Sequence, residues 1–139
     1  MRNAFRTGSV ILALLGAAAC DQAGTMTELP RPTAPPTKVV PFSGTLQLQG
    51  RDTHTFTVAQ EGYVEVTLLG LGAAAGTAVG LGIGTPGVTE CVVIQSVTTV
   101  AGTAAQLVGT GLPGTLCVTI FDVGNLTAPA IYTVTVASS

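Results

Sequence analysis

From Pro41 onward the chain alternates apolar and polar residues with a period of two, the spacing of a strand whose two sides face different media. Phe42 to Gln49 sets Leu46 and Leu48 against Thr45 and Gln47. After a turn at Gly50-Arg51-Asp52, His54, Phe56 and Val58 share one side, and Thr53, Thr55 and Thr57 share the other. Gln60-Glu61-Gly62 turns the chain again, and Val64, Val66 and Leu68 then alternate with Tyr63, Glu65 and Thr67. Val79, Leu81 and Ile83 alternate with glycines, and an apolar-rich run from Cys91 to Val100 follows. The last two segments are the clearest: Leu116, Val118 and Ile120 against Cys117, Thr119 and Phe121, then Tyr132, Val134 and Val136 against Thr133 and Thr135. Seven or eight short strands, with turn signals about every ten residues, predict an all-β fold over residues 41–139, an antiparallel sandwich or barrel. Thr fills much of the polar side, and an uncharged β-branched residue suits an antiparallel sheet with one wet face. No segment carries the 3.6-residue period of an amphipathic helix.

Before Pro41 the pattern is of another kind. Arg2 and Arg6 precede an uncharged run from Val10 to Ala19, which ends on Cys20. A positive start, an apolar middle and small residues at the end predict a signal peptide over residues 1–19. About ten apolar residues are too few to cross a bilayer core, which needs about 20. An apolar run that stops on cysteine resembles the lipobox of bacterial lipoproteins, in which the cysteine sulfur receives a diacylglycerol and the chain is cut before it. That resemblance implies lipidation at Cys20, a membrane partner held through the lipid anchor, and a bacterial cell-envelope address on the periplasmic or surface face. Ala17 stands where the lipobox prefers a branched aliphatic residue, and Ala17-Ala18-Ala19 also fits an ordinary signal peptidase site. Residues 20–40 interleave Pro30, Pro32, Pro35 and Pro36 with Thr and Ala. That composition predicts an extended tether of roughly 3 Å per residue rather than part of a core.

Charge narrows the partners. Removing residues 1–19 leaves Arg31, Lys38 and Arg51 against seven acidic residues. Such a chain lacks the basic footprint of nucleic-acid binding and gains little from anionic headgroups. The three cysteines divide in a telling way. If lipid takes Cys20, then Cys91 and Cys117 remain as a pair in an oxidising compartment, and a disulfide between them is expected. The bridge would contribute about 3.5 kcal/mol by restricting the unfolded chain.

Phe42-Ser-Gly-Thr-Leu46, Asp52-Thr-His-Thr-Phe-Thr-Val58, Val64-Glu-Val-Thr-Leu68 and Tyr132-Thr-Val-Thr-Val136 together resemble the bacterial pre-peptidase C-terminal (PPC) domain. The likeness covers most of residues 41–139 and rests on alternation and turn glycines. It implies a small jelly-roll sandwich that serves as an accessory module of exported proteins, sometimes binding polymers. His54 stands where that family usually has an aromatic.

Candidate chemistry is sparse. Residues 66–89 hold no charged residue and bring Gly72, Gly76 and Gly80 into small-xxx-small spacing. A membrane-spanning helix over 66–89 is therefore an alternative, opposed by the number of glycines, by Pro86 and by strand alternation on both flanks. The same glycines lack the Lys-Ser/Thr of a phosphate loop. Asp52 and His54 fall on one strand face, but on the face of Phe56 and Val58, which predicts a core-edge histidine rather than a catalytic dyad. Cys91 and Cys117 match no zinc-ligand spacing, so no metal and no other cofactor is expected. Asp122-Val-Gly-Asn125 offers oxygen ligands but too few carboxylates for calcium, and reads as a turn. Tyr63 and Phe121 are the candidate ligand contacts if the module binds an envelope polysaccharide. The pattern as a whole points to a non-enzymatic binding or structural module, with a freely secreted carbohydrate- or polymer-binding module as its alternative.

Overall fold

A computed structural model describes residues 38–139, so the apolar run ending at Cys20 lies outside the described residues. Eight strands follow one another: β1 (Lys38–Leu46), β2 (Arg51–Val58), β3 (Gly62–Gly70), β4 (Val79–Pro86), β5 (Cys91–Thr99), β6 (Leu107–Gly111), β7 (Gly114–Phe121) and β8 (Ala130–Ser138). They form two four-stranded sheets, ordered β1-β8-β3-β6 and β2-β7-β4-β5, in which every pairing is antiparallel. Only β4 and β5 are sequential neighbours within one sheet, and the other connections cross the sandwich. That order is the eight-stranded jelly roll, two interlocked Greek keys.

The alternation seen in the sequence sorts the side chains. Val64, Val66 and Leu68 of β3 and Tyr132, Val134 and Val136 of β8 point inward, and meet Phe56 and Val58 of β2 with Val118 and Ile120 of β7. Each such side chain, fully withdrawn from water, stabilises the fold by about 1.5–3 kcal/mol. Leu71 and Leu126 close one part of this core from loops.

The glycine-rich stretch is not a helix. Gly72 belongs to a short 3-10 turn (Gly72–Ala74) with φ +51°, Gly76 follows that turn, and Gly80 lies in β4. Among the described residues no helix is long and apolar enough to cross a membrane. The glycines instead let neighbours cover β4, whose residues Val79 to Gly84 are all buried. A Cβ on Gly84 would lie 1.9 Å from the carbonyl oxygen of Val92, because β5 crosses closely there. The β4–β5 register shifts between Ile83 and Gly84 at the same place.

Two boundaries differ from the sequence reading. β1 begins at Lys38, since residues 38–40 pair with Val136, Ala137 and Ser138 of β8. β1 also ends at Leu46, so Leu48 is exposed in a turn rather than part of the strand. That turn is closed by Gly50 N–H donating to Gln47 carbonyl and by Gln49 at φ +52°. β6 had no distinct alternation, having only Leu107 and Val108 as large apolar residues among its five.

Candidate functional site

Asp52 and His54 do lie on the inner side of β2, at the edge strand of their sheet. The opposite sheet supplies what joins them. Tyr132 of β8 is fully buried, and its hydroxyl donates to Asp52 Oδ2. With its single proton committed, the Tyr132 oxygen accepts from His54 Nε2 at 2.6 Å. His54 Nε2 is 3.9 Å from Asp52 Oδ2, so Tyr132 bridges the pair. Phe42 of β1 stacks on the His54 ring, with centroids 4.7 Å apart and planes at 14°. Gly44 makes room for the junction, since a Cβ there would lie 2.7 Å from both Asp52 Oδ2 and Tyr132 Oη. Burial, reinforced by the Asp52 carboxylate, pushes the Tyr132 hydroxyl well above its ordinary pKa. Asp52 Oδ1 accepts from the Thr53 N–H, and the bonds through the Tyr132 hydroxyl brace the two sheets at their open edge.

The Asp122 turn is self-contained. Its Oδ1 accepts from the backbone N–H groups of Gly124, Asn125 and Leu126, and its Oδ2 from that of Gln49. The Gln49 bond foremost, then those within the loop, hold its carboxyl below the ordinary value against a smaller opposing effect of desolvation. Asn125 Nδ2 donates to the Ala78 carbonyl and clasps the loop. Among the described residues no three His, Cys, Asp or Glu side chains gather as a metal site would require.

Cys91 and Cys117 meet at disulfide distance, with Cα atoms 5.8 Å apart. They come from β5 and β7, the strands on either side of β4. Beside them, on the outer face of this sheet, Thr53, Thr55 and the turn from Pro86 to Glu90 enclose a cleft of about 230 Å³. Thr53 Oγ1 donates to Thr119 Oγ1 at 3.2 Å, and Thr119 Oγ1 donates to the Asp52 carbonyl at 3.0 Å. At the rim, Arg51 Nη1 faces Glu90 Oε2 at 3.7 Å, and the guanidinium lies 5.3 Å from the centroid of Phe121. A second groove, of about 350 Å³, is lined by Gly72, Ala73, Ala74, Thr77 and residues 127–131, none of them charged.

The sequence-derived contacts separate. Tyr63 is exposed on the outer side of β3, whereas Phe121 is half-buried on the outer side of β7 in the other sheet, so the two cannot share one ligand platform. Cys20 lies outside the described residues. Arg51, Thr53 and Glu90 were not marked by any spacing; they are brought together only by β2 pairing with β7 and by the β4–β5 turn.

This geometry defines a class, the jelly-roll β-sandwich with a cysteine pair joining two strands of one sheet. No family model matches the chain, and no curated protein matches it. Four chains of solved structures do match. Among them is the crystal structure of Yersinia pseudotuberculosis-derived mitogen (YPM), with a TM-score of 0.51 and 10% identity, over 73% of this chain and 86% of that one. Likeness at that identity concerns the fold alone.

Proposed function

We propose that this chain is a bacterial cell-envelope lipoprotein, held to a membrane by lipid on Cys20 and displaying a small non-enzymatic β-sandwich that binds or braces an envelope component. The observation that carries the reading is the apolar run from Val10 to Ala19 that stops directly on Cys20 after Arg2 and Arg6. Two acyl chains or more give stable anchoring where one gives only reversible attachment. The non-enzymatic part is supported by the Asp52–Tyr132–His54 cluster, whose hydrogen bonds are used internally between two sheets. An accessory-module role like that of PPC domains fits the same sandwich.

A radiolabelled palmitate feed to bacteria expressing the full chain and its Cys20→Ala variant tests this reading. Label in the full chain, with the protein in the detergent phase, and neither in the variant, is the expected result. Export with cleavage but without label would leave the alternative, a freely secreted polymer-binding module.

A further inference from the structure

We propose that the cleft beneath the Pro86–Glu90 turn is a subsite for one neutral saccharide unit of a larger glycan. The inference rests on the reading of the sandwich as a binding module, and is independent of the lipid.

The hydrogen-bonding groups of the cleft are polarised in a way that selects the ligand. Thr119 is fully buried and gives its proton to the Asp52 carbonyl, and Thr53 gives its own to Thr119. Thr53 Oγ1 can therefore only accept from a ligand. The Glu90 carboxylate is a second acceptor, while Arg51 beside it is purely a donor. At 3.7 Å the Arg51–Glu90 contact is longer than a hydrogen bond, so the fork of N–H groups and the carboxylate both keep capacity for a third partner. Thr55 and Thr89, both exposed, can each donate or accept. Two acceptors, two groups of either kind and one donor at the rim match the hydroxyls of a sugar ring, each of which both gives and takes a hydrogen bond.

The remaining lining suits the C–H side of such a ring. Val88, Pro86 and the Cys91–Cys117 pair are apolar, and Val88 projects fully into solvent from the turn. The single positive and single negative charge at the rim offset each other, which gives no advantage to an anion or a cation. A volume of about 230 Å³ is below the range of pockets that engulf a whole small molecule, roughly 300–1,000 Å³, and admits one ring with the rest of a chain running outside. The floor is fixed in advance by the β2–β7 pairing and by the cysteine pair, so little order need be imposed on binding.

The test is a titration of the detergent-solubilised full chain, labelled with nitrogen-15, with chitotriose, cellotriose and maltotriose. At least one of these neutral trisaccharides should shift the amide signals of Thr53, Thr55 and Glu90, with a dissociation constant of about 1 mM. Thr53→Val and Glu90→Gln should each weaken that binding about tenfold, whereas Tyr63→Ala on the opposite sheet should leave it unchanged. Glu90 is exposed, so its variant keeps the fold even if the Thr53 variant does not. No shift from any of the three sugars up to about 20 mM would overturn the proposal. So would shifts centred elsewhere, or binding indifferent to both cleft variants. Saccharide binding by a chain that takes up no palmitate would remove the anchor and leave the subsite standing; labelled protein without saccharide binding would do the reverse.

Discussion

Tyr132 shows how one side chain acquires a role from its surroundings. Period-two alternation places it inward beside Val134 and Val136, where a phenol ring serves as apolar filler. What makes it more than filler is a carboxylate and an imidazole from a strand of the other sheet, reached across the sandwich. Replacing Tyr132 with Phe keeps the ring and strands both partners, and should lower stability by about 1–3 kcal/mol in chemical denaturation. The pH dependence has a definite sign. In the unfolded chain the phenol ionises near 10, while the folded state holds its proton more tightly. The resulting contribution is full below pH 10 and is lost as pH rises beyond it. The wild type should therefore lose stability more steeply than Tyr132→Phe between about pH 10 and 12. Equal slopes would mean that the phenol is not held in this way. That Asp52 and His54 share a face could be read from their spacing. That Tyr132, 80 residues from Asp52, completes the cluster could not, because nothing local records a contact made between sheets.

At the level of strands, alternation was a good guide wherever one side of a strand is wet. It located β2, β3, β7 and β8 because each sets large apolar residues against Thr or another polar side chain. It misled at Leu48, where the apolar residue sits past the end of β1 in a turn set by Gln47 and Gly50. It was silent at β6, whose inner positions include Gly109 and Gly111. Here Gln106 extends the pairing with its side chain, accepting from Leu68 N–H at 2.7 Å and donating to Leu68 carbonyl at 3.2 Å. β4 is the informative case, because glycines where a polar residue is expected imitated a helix-packing stripe. Their true use is contact: β5 comes so close at Gly84 that an added methyl would overlap the Val92 carbonyl. Gly84→Ala should accordingly cost about 3 kcal/mol, since backbone rather than a mobile side chain must move. Thermal unfolding of the variant measures this, and a change below about 0.5 kcal/mol would contradict so tight a crossing.

For the whole molecule, the all-β class was evident from strand count and turn spacing, but the order of strands was not. A jelly roll is assembled from pairings distant in sequence, such as Lys38 with Ser138 and Val66 with Val136. The cleft shares that origin, being made by β2, β7 and the β4–β5 turn together. The cysteine pair links β5 and β7 across 26 positions of chain, and its loss relaxes restrictions on the unfolded state. Reduction should lower stability by about 3.5 kcal/mol, seen as a fall in melting temperature on adding a phosphine reductant. An unchanged melting temperature would mean the two thiols are not joined.

The pairing of Lys38 with Ser138 also has a mechanical side. β1 is an edge strand that runs its full nine residues against β8. Tension entering the sandwich at Lys38 is met differently according to where the opposing hold lies. Held near Ser138, β1 would peel from β8 rung by rung at low force, as a zip opens. Held from the far end, at the Leu46–Ala130 rung, the same pull runs along the strand and loads all the rungs at once. A grip in that direction would let the sandwich bear a drag that the opposite geometry would quickly undo.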